Sequence, residues 1–364
     1  MIYLDHGATS FPKPLSVRRQ VEDAMARCGN SGRGGHGPAM EAARTIYLCR
    51  TAAADFFDCV PEQVVFTSGC THSLNIALRS LFKKGERVAI SGFEHNAVTR
   101  PLYAMGVETV VAGRKLFDWA DTLEQFENVL KKGVSGAVFT HCSNVFGYIL
   151  PVEEMAFLCR KYQVPFVVDG AQSAGCLPIS LRNWGASFVA MSGHKGLLGP
   201  MGTGLLLCGD TPVPLMQGGT GSRSESVEMP SFLPDLAEVG TMNVGGIAGV
   251  HAGLSLVKRM GLSKILHREQ QAAERCVKGL KQLGYQVFSG AHQNGTVSFV
   301  PRMDCEELAE KLGSKGIAVR GGLHCAPLAH ESAGTLATGT VRLSFGHEAT
   351  VEQAERFLSV LTRI

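Results

Sequence analysis

Residues 165–173, "PFVVDGAQS", and residues 188–206, "FVAMSGHKGLLGPMGTGLL", decide how this chain is read. Each opens with a short run of bulky apolar residues and then reaches a polar residue set among glycines. Apolar runs bounded by turn residues predict strands buried on both faces. The polar residues then stand at the carboxyl ends of those strands, where parallel sheets bind ligands. Asp169 closes the first run and Lys195 follows the second, so an acid and a lysine are predicted to face one cleft. A solvated turn lysine needs no glycines beside it. A lysine that must bend into a cleft does, because glycine frees the backbone of the turn.

The pattern extends outward. "VVFTS", "RVAIS", "ETVVA", "GAVFTHC" and "GTGLLLC" are further strand-like runs, separated by amphipathic stretches such as "THSLNIALRSLF" and "PVEEMAFLCRKY". This alternation predicts an α/β fold with a mostly parallel sheet covered on both faces. Residues 216–243 are rich in Gly, Ser and Pro and are read as a long irregular loop. Helical patterns follow at about 244–260 and 262–283, then a smaller α+β set from "GTVSFVP" to "TVEQAERFLSVLTRI". The expected division is an N-terminal arm of the small domain (1–20), a large domain (21–255) and a small C-terminal domain (256–364).

Composition narrows the function. Of 364 residues, 45% are hydrophobic and 18% charged, enough apolar matter for a large core. A net charge of +3 without a dense basic patch speaks against nucleic acid as a partner. No apolar run reaches membrane-spanning length, and "MIYLDHGATSFPKP" lacks the layout of a signal peptide. Eleven cysteines at irregular spacings, an odd count with no C-x-x-C, fit reduced thiols in a cytoplasmic protein. No metal site is expected.

An acid and a lysine in one cleft suggest pyridoxal phosphate. The lysine would bind the aldehyde as a Schiff base, and the carboxylate would keep the ring nitrogen protonated. A phosphate site is available where "VVFTSGCTHSLN" passes from strand to helix: Ser68 and Gly69 precede a helix start at Cys70 and Thr71, and free N–H groups there cradle anions. His95 in "FEHNAVTR" either stacks on a ring or caps a helix. Ser192 and His194 flank the lysine, within reach of the phosphate or the lysine–aldehyde linkage.

Taken with "YLDHGATS", "FEHNA" and "VGTMNVGGIAG", these motifs resemble the cysteine desulfurase and selenocysteine lyase branch of the class V aminotransferases, in order and over essentially the whole chain. The resemblance implies a fold-type I pyridoxal phosphate enzyme, a homodimer with its active sites at the subunit interface. It implies that Lys195 carries the cofactor, Asp169 pairs with the ring nitrogen, and Gln172 and Asn144 lie near the ring's phenolic oxygen. His95 would stack on the ring, and Thr71, Ser192 and His194 would bind phosphate. Thr220 in "GGTGS" would reach the neighbouring subunit's phosphate.

"VRGGLHCAPLAH" is similar to the family loop that ends in the nucleophilic cysteine, which makes Cys325 the candidate. It would attack the sulfur of L-cysteine, keep it as a persulfide for an acceptor protein, and leave L-alanine. Gly321, Gly322 and Pro327 suggest a mobile loop, and Arg320 and His324 could lower the thiol's pKa. Arg320 and Arg342 match substrate-binding arginines, and Arg342 suits the α-carboxylate. Two features depart from the family pattern: Thr71 is followed by His72 rather than Glu, and the turn "HKGLLGPMG" is one residue longer than usual. The competing readings are a selenocysteine lyase, another class V reaction such as transamination or epimerisation, and a binding protein without catalysis.

Overall fold

Strand and helix alternate from residue 64 to residue 192, as the apolar runs require. In the computed structural model, which describes residues 1–32 and 34–364, β1 (Ile2–Tyr3), α1 (Leu15–Arg27) and α2 (Gly37–Phe56) come first. The alternating series follows: β2 (Val64–Thr67), α3 (Cys70–Leu81), β3 (Arg87–Ile90), α4 (Asn96–Ala104), β4 (Glu108–Val111), α5 (Trp119–Lys131) and β5 (Gly136–Thr140). It continues through α6 (Val152–Tyr162), β6 (Phe166–Asp169), α7 (Leu181–Trp184), β7 (Phe188–Ser192) and β8 (Gly204–Cys208). These strands form one seven-stranded sheet in the order β2-β8-β7-β6-β5-β3-β4. Only β8 runs against its neighbours, so the sheet is mostly parallel.

Both faces of this sheet are buried. Phe139, Val168 and Val189 enter one apolar cluster, while their chain neighbours Val138, Val167 and Ala190 enter another on the opposite face. The period of two across wholly buried strands is why the runs read as continuous rather than alternating.

After the long helices α8 (Val244–Met260) and α9 (Leu262–Gln282) come β9 (Gln286–Phe288), β10 (Thr296–Val300), α10 (Cys305–Ser314), β11 (Ile317–Ala318) and β12 (Arg320–Gly322). α11 (Pro327–Ala333), β13 (Thr340–Ser344) and α12 (Val351–Leu361) complete the chain. An antiparallel sheet in the order β12-β13-β10-β9 has its own core, with Phe299, Leu343 and Phe357 inside. β1 pairs in parallel with β11, and Asp5 bridges to Ser344, so the first residues of the chain join its last third. The segment 216–243 is irregular, yet buried Glu238 anchors it. Its carboxylate takes both Nη atoms of Arg50 at 2.9 and 2.8 Å and the Phe66 amide at 2.7 Å.

The glycines around Lys195 serve a close backbone approach. A Cβ on Gly175 would lie 2.2 Å from the Gly196 carbonyl oxygen, and one on Gly196 would lie 2.3 Å from that of Ala174. The turns that follow β6 and β7 therefore touch main chain to main chain. Within the lysine turn Leu198 adopts φ 62°, its amide bonded to the Lys195 carbonyl at 2.9 Å. Replacing Gly196 with Ala is expected to destabilise the fold by ~2 kcal/mol or more, since neighbouring backbone must move. Denaturant unfolding would show it; an unchanged midpoint would mean that the two turns have room to part.

Candidate active site

The carboxyl ends of β2, β5, β6 and β7 border a cavity of about 370 Å³. Lys195, Asp169, Gln172, His95, Cys70, Thr71, Asn144, Ser192 and His194 all line it. Arg342, Arg320, Cys325 and Thr220 are not part of its lining. Arg342 adjoins it, donating to the Asn144 carbonyl at 3.0 Å. Thr220 lies in the 216–243 segment, where its hydroxyl meets that of Ser222 at 3.1 Å.

Asp169 is buried, and one of its oxygens is already engaged. Oδ1 accepts the Ala171 N–H at 2.9 Å and the Cys70 thiol at 3.3 Å, so Oδ2 remains for a further donor. Desolvation pushes the Lys195 ammonium pKa down, opposed in part by the Asp169 charge, which brings a nucleophilic free amine closer to neutral pH. At the other end of the cavity, Gly69 precedes α3, whose first helical bond is from the Ser73 amide to the Gly69 carbonyl. The amides of Cys70, Thr71 and His72 thus precede the helical bonding and offer donors to an anion. His72, where the family pattern has Glu, turns its Nδ1 to the Ser68 hydroxyl at 3.2 Å.

His95 caps a helix and lines the cavity at once. Its Nδ1 accepts the Ala97 amide at 2.9 Å, which leaves the proton of the neutral ring on Nε2. Desolvation lowers its pKa. The same cause takes His194 to about 4, with Nδ1 3.1 Å from the Thr9 hydroxyl. Gln172 donates to the Gly7 carbonyl at 2.9 Å, and Asn144 donates to the His324 carbonyl at 2.8 Å, so each amide has one N–H and its oxygen left for a ligand.

The turn carrying Cys325 differs from the sequence expectation in two ways. Gly321 and Gly322 belong to β12 and Pro327 opens α11, so they frame a short turn rather than a mobile loop. Gly321 is required by packing, because a Cβ there would lie 2.2 Å from the Cys305 carbonyl. The turn holds His324 at φ 51° and Cys325 at φ 56°, a left-handed pair that L residues rarely adopt. The Asn144 side chain and the Asn96 amide, 2.7 Å from the Cys325 carbonyl, fix it in place. His324 is buried and its pKa falls well below the ordinary value, chiefly by desolvation, so it brings no positive charge to Cys325. Arg320 remains as the nearby cation.

Asp5 is the functional residue that sequence reasoning missed. Its carboxylate accepts from Arg320 at 2.8 Å and from Arg342 at 2.7 Å. One negative charge set between two guanidinium groups leaves a net positive site, and the buried Arg342 Nε has no partner. Such a site suits a carboxylate. No local signal marks Asp5; its partners lie at the opposite end of the chain.

All eleven cysteines are free: eight are buried, Cys28 and Cys59 are half-buried, and Cys325 alone is exposed. Burial pushes the Cys59 and Cys159 thiols up to about 12 and that of Cys70 well above its usual range. Among the described residues, no group of three or more His, Cys, Asp and Glu side chains could hold a metal ion, and no helix is long and apolar enough to cross a membrane.

The family profile described as aminotransferase class-V matches residues 2–357. A probable cysteine desulfurase from Pyrococcus abyssi is 32% identical, with 100% of this chain and 94% of that protein covered. Another from Methanothermobacter thermautotrophicus is 31% identical over 100% of this chain and 94% of its own length. Among solved structures, an apo cysteine desulfurase from Thermococcus onnurineus superposes with a TM-score of 0.91 at 31% identity, covering 100% of this chain and 94% of that one.

Two buried carboxyls give the fold a pH signature. Burial raises Glu94 and Glu269 from 4.5 to about 8, although Glu94 accepts the Thr140 amide at 2.9 Å. Between these values the folded chain holds protons that the unfolded chain has lost, so stability declines as pH rises toward 8. Histidines held near 4, such as His141, act in the opposite sense only between 4 and 6.5. Above pH 6.5 the carboxyls are therefore expected to dominate, each contributing about 1.4 kcal/mol per pH unit. Glu94→Gln should flatten part of that slope in urea unfolding followed from pH 6.5 to 8. An unaltered slope would show that Glu94 is ionised in the native protein.

Proposed function

The chain belongs to the class-V aminotransferase family, and from that premise we propose that it is a pyridoxal phosphate-dependent cysteine desulfurase, converting L-cysteine to L-alanine. The observation that carries this reading is the convergence of Lys195, Asp169 and the α3 amides on one cavity beside a buried arginine. The residues fit the cofactor. The free Oδ2 of Asp169 suits a protonated ring nitrogen, the amides of residues 70–72 with Thr71, Ser192 and His194 suit the phosphate, and Lys195 supplies the amine for the aldehyde. When bound, the cofactor withdraws electrons from the substrate's α-carbon.

The chain's own groups do the rest. Lys195, its amine favoured by desolvation, attaches the cofactor and later moves the proton at the α-carbon. Asp169 would keep the ring nitrogen protonated, and His95, with Nε2–H free to donate, would line the cofactor's ring. Gln172 and Asn144 each keep a second side-chain N–H, which would serve the phenolic oxygen. Arg342 orients the substrate carboxylate through its unpartnered Nε, with Arg320 at the entrance. The Cys325 thiolate would attack the substrate's sulfur, forming an S–S bond as the substrate's Cβ–S bond breaks. That bond's electron pair stays with the carbon skeleton, which is protonated to alanine, and the persulfide left on Cys325 passes its outer sulfur to an acceptor protein. Exposure of Cys325 supports that hand-over.

A homodimer is part of the proposal, with Thr220 reaching the partner's phosphate site. Exposed Leu15 and Met25 on α1, with Met40, Tyr47 and Leu48 on α2, supply apolar area for such an interface. The free thiols fit a reducing cytoplasm.

Lys195→Ala should lose the cofactor's visible absorbance band and all turnover while staying folded. Asp169→Asn removes a buried charged partner worth about 3–5 kcal/mol, so the rate should fall by roughly 10² to 10⁴. Cys325→Ala should keep the absorbance band, lose alanine release from L-cysteine almost completely, and retain a substantial share of any release from L-selenocysteine. Mass spectrometry of the wild type should find one added sulfur on Cys325. Full L-cysteine turnover in Cys325→Ala would refute the desulfurase mechanism and favour another class V reaction.

A further inference from the structure

Four donors converge on one main-chain oxygen, the carbonyl of His194. The Ser10 amide lies at 3.0 Å, the Thr9 hydroxyl at 3.0 Å, the Ser10 hydroxyl at 3.1 Å and the Lys13 ammonium at 2.7 Å. A carbonyl oxygen has two lone pairs, so this one is oversupplied. The peptide unit it belongs to carries the amide nitrogen of Lys195. Lys13 also donates to the Ser10 hydroxyl at 2.7 Å, which joins cation and hydroxyl into a single clamp.

The partners of Lys13 are all uncharged oxygens, from Thr9, Ser10 and His194. A surface lysine with no carboxylate to meet would ordinarily extend into water, where its charge is best solvated. This one is half-buried instead, and desolvation lowers it to about 8. A charge kept out of water against a neutral carbonyl points to a geometric task.

The other end of the same segment supplies the rest of that task. Asp5 holds Arg342 at 2.7 Å, the Gly7 amide donates to the Ser344 hydroxyl at 2.7 Å, and the Gly7 carbonyl receives Gln172 at 2.9 Å. Residues 5–13 therefore bind the peptide of Lys195 at one end and Arg342 at the other.

We propose that Lys13 is a positioning residue that acts on Lys195 by fixing the His194–Lys195 peptide plane, with residues 5–13 as the spacer that sets Lys195 against Arg342. The assignment rests on the reading of Lys195 as the cofactor-binding lysine. The turn's own bonds run from the Leu198 amide to the Lys195 carbonyl and from the Gly199 amide to the Gly193 carbonyl, and neither engages the His194 carbonyl. The clamp holds that plane from outside.

Three measurements on the full-length holoenzyme test this. Borohydride reduction and peptide mapping identify the lysine that holds pyridoxal phosphate. The rate at which the cofactor reattaches after removal reports the placement of Lys195. The kcat and KM for L-cysteine separate chemistry from binding.

In Lys13→Met, Lys195 should still be the labelled residue. Reattachment and kcat should fall about tenfold, the loss expected for one charge-assisted hydrogen bond, with KM little changed. Lys13→Arg, which keeps the charge at a similar length, should recover part of both rates. If Lys13→Met does not fold, Lys13→Gln, which removes the charge at a similar polarity, decides the question: lowered rates restored in Lys13→Arg support the clamp, and wild-type rates in Lys13→Gln overturn it. Wild-type reattachment and kcat in folded Lys13→Met would also overturn the proposal. Absence of label on Lys195 in the wild type would instead refute the underlying functional reading.

Discussion

Two peptide units meeting without side chains between them make the rest of the site possible. Gly175 and Gly196 bring the turn after β6 onto the turn after β7, close enough that a methyl group on either would overlap the other's backbone. Neighbouring parallel strands already place Asp169 and the start of the lysine turn at one edge of the sheet. The glycine contact then turns Lys195 inward over that edge. A side chain at either position would wedge the turns apart and leave the lysine facing elsewhere, while the strands below could stay unchanged.

Sequence patterning exposed the parts of this arrangement that are local. Buried strands announce themselves as apolar runs, and a polar residue at the end of such a run has a limited set of places to be. That is why Asp169 and Lys195 could be placed at one cleft from the pattern alone, while His95 and the start of α3 joined them through the cofactor that such a pair suggests. The helical patterns at 244–260 and 262–283 were visible for the same reason, since their periodicity is carried by near neighbours. What could not be read is the set of contacts between distant segments. Asp5 and Lys13 look like ordinary polar residues of an N-terminal stretch until β1 pairs with β11 and brings that stretch between the two sheets. His324 presented itself as a cation beside a thiol; its burial, a property of the packed fold, removed the charge. Gly321 suggested mobility because a sequence does not show which backbone lies against it.

The charges of the site follow one rule: histidines are kept neutral and lysine or arginine carries what positive charge remains. Desolvation lowers His95 and His324 and takes His6, His141 and His194 to about 4. These rings serve as shape and as hydrogen-bonding groups with defined tautomers. Arg342 stays charged despite burial because Asp5 faces it. Glu94, behind the cavity, holds its proton where an ordinary carboxyl would have lost it, so it does not compete with Asp169 for a cation.

The burial of the other thiols bears on where sulfur can travel. Disulfide and persulfide exchange requires a thiolate as the attacking species. Eight cysteines are enclosed in the interior, and burial raises the thiols of several of them, Cys70 beside Asp169 included. Under the proposed mechanism, a sulfur atom resting on Cys325 would find few competent acceptors within its own chain. The fold would then act as a one-way outlet: a molecule rich in cysteine that is nonetheless internally deaf to the element it handles, with the route outward left open by default.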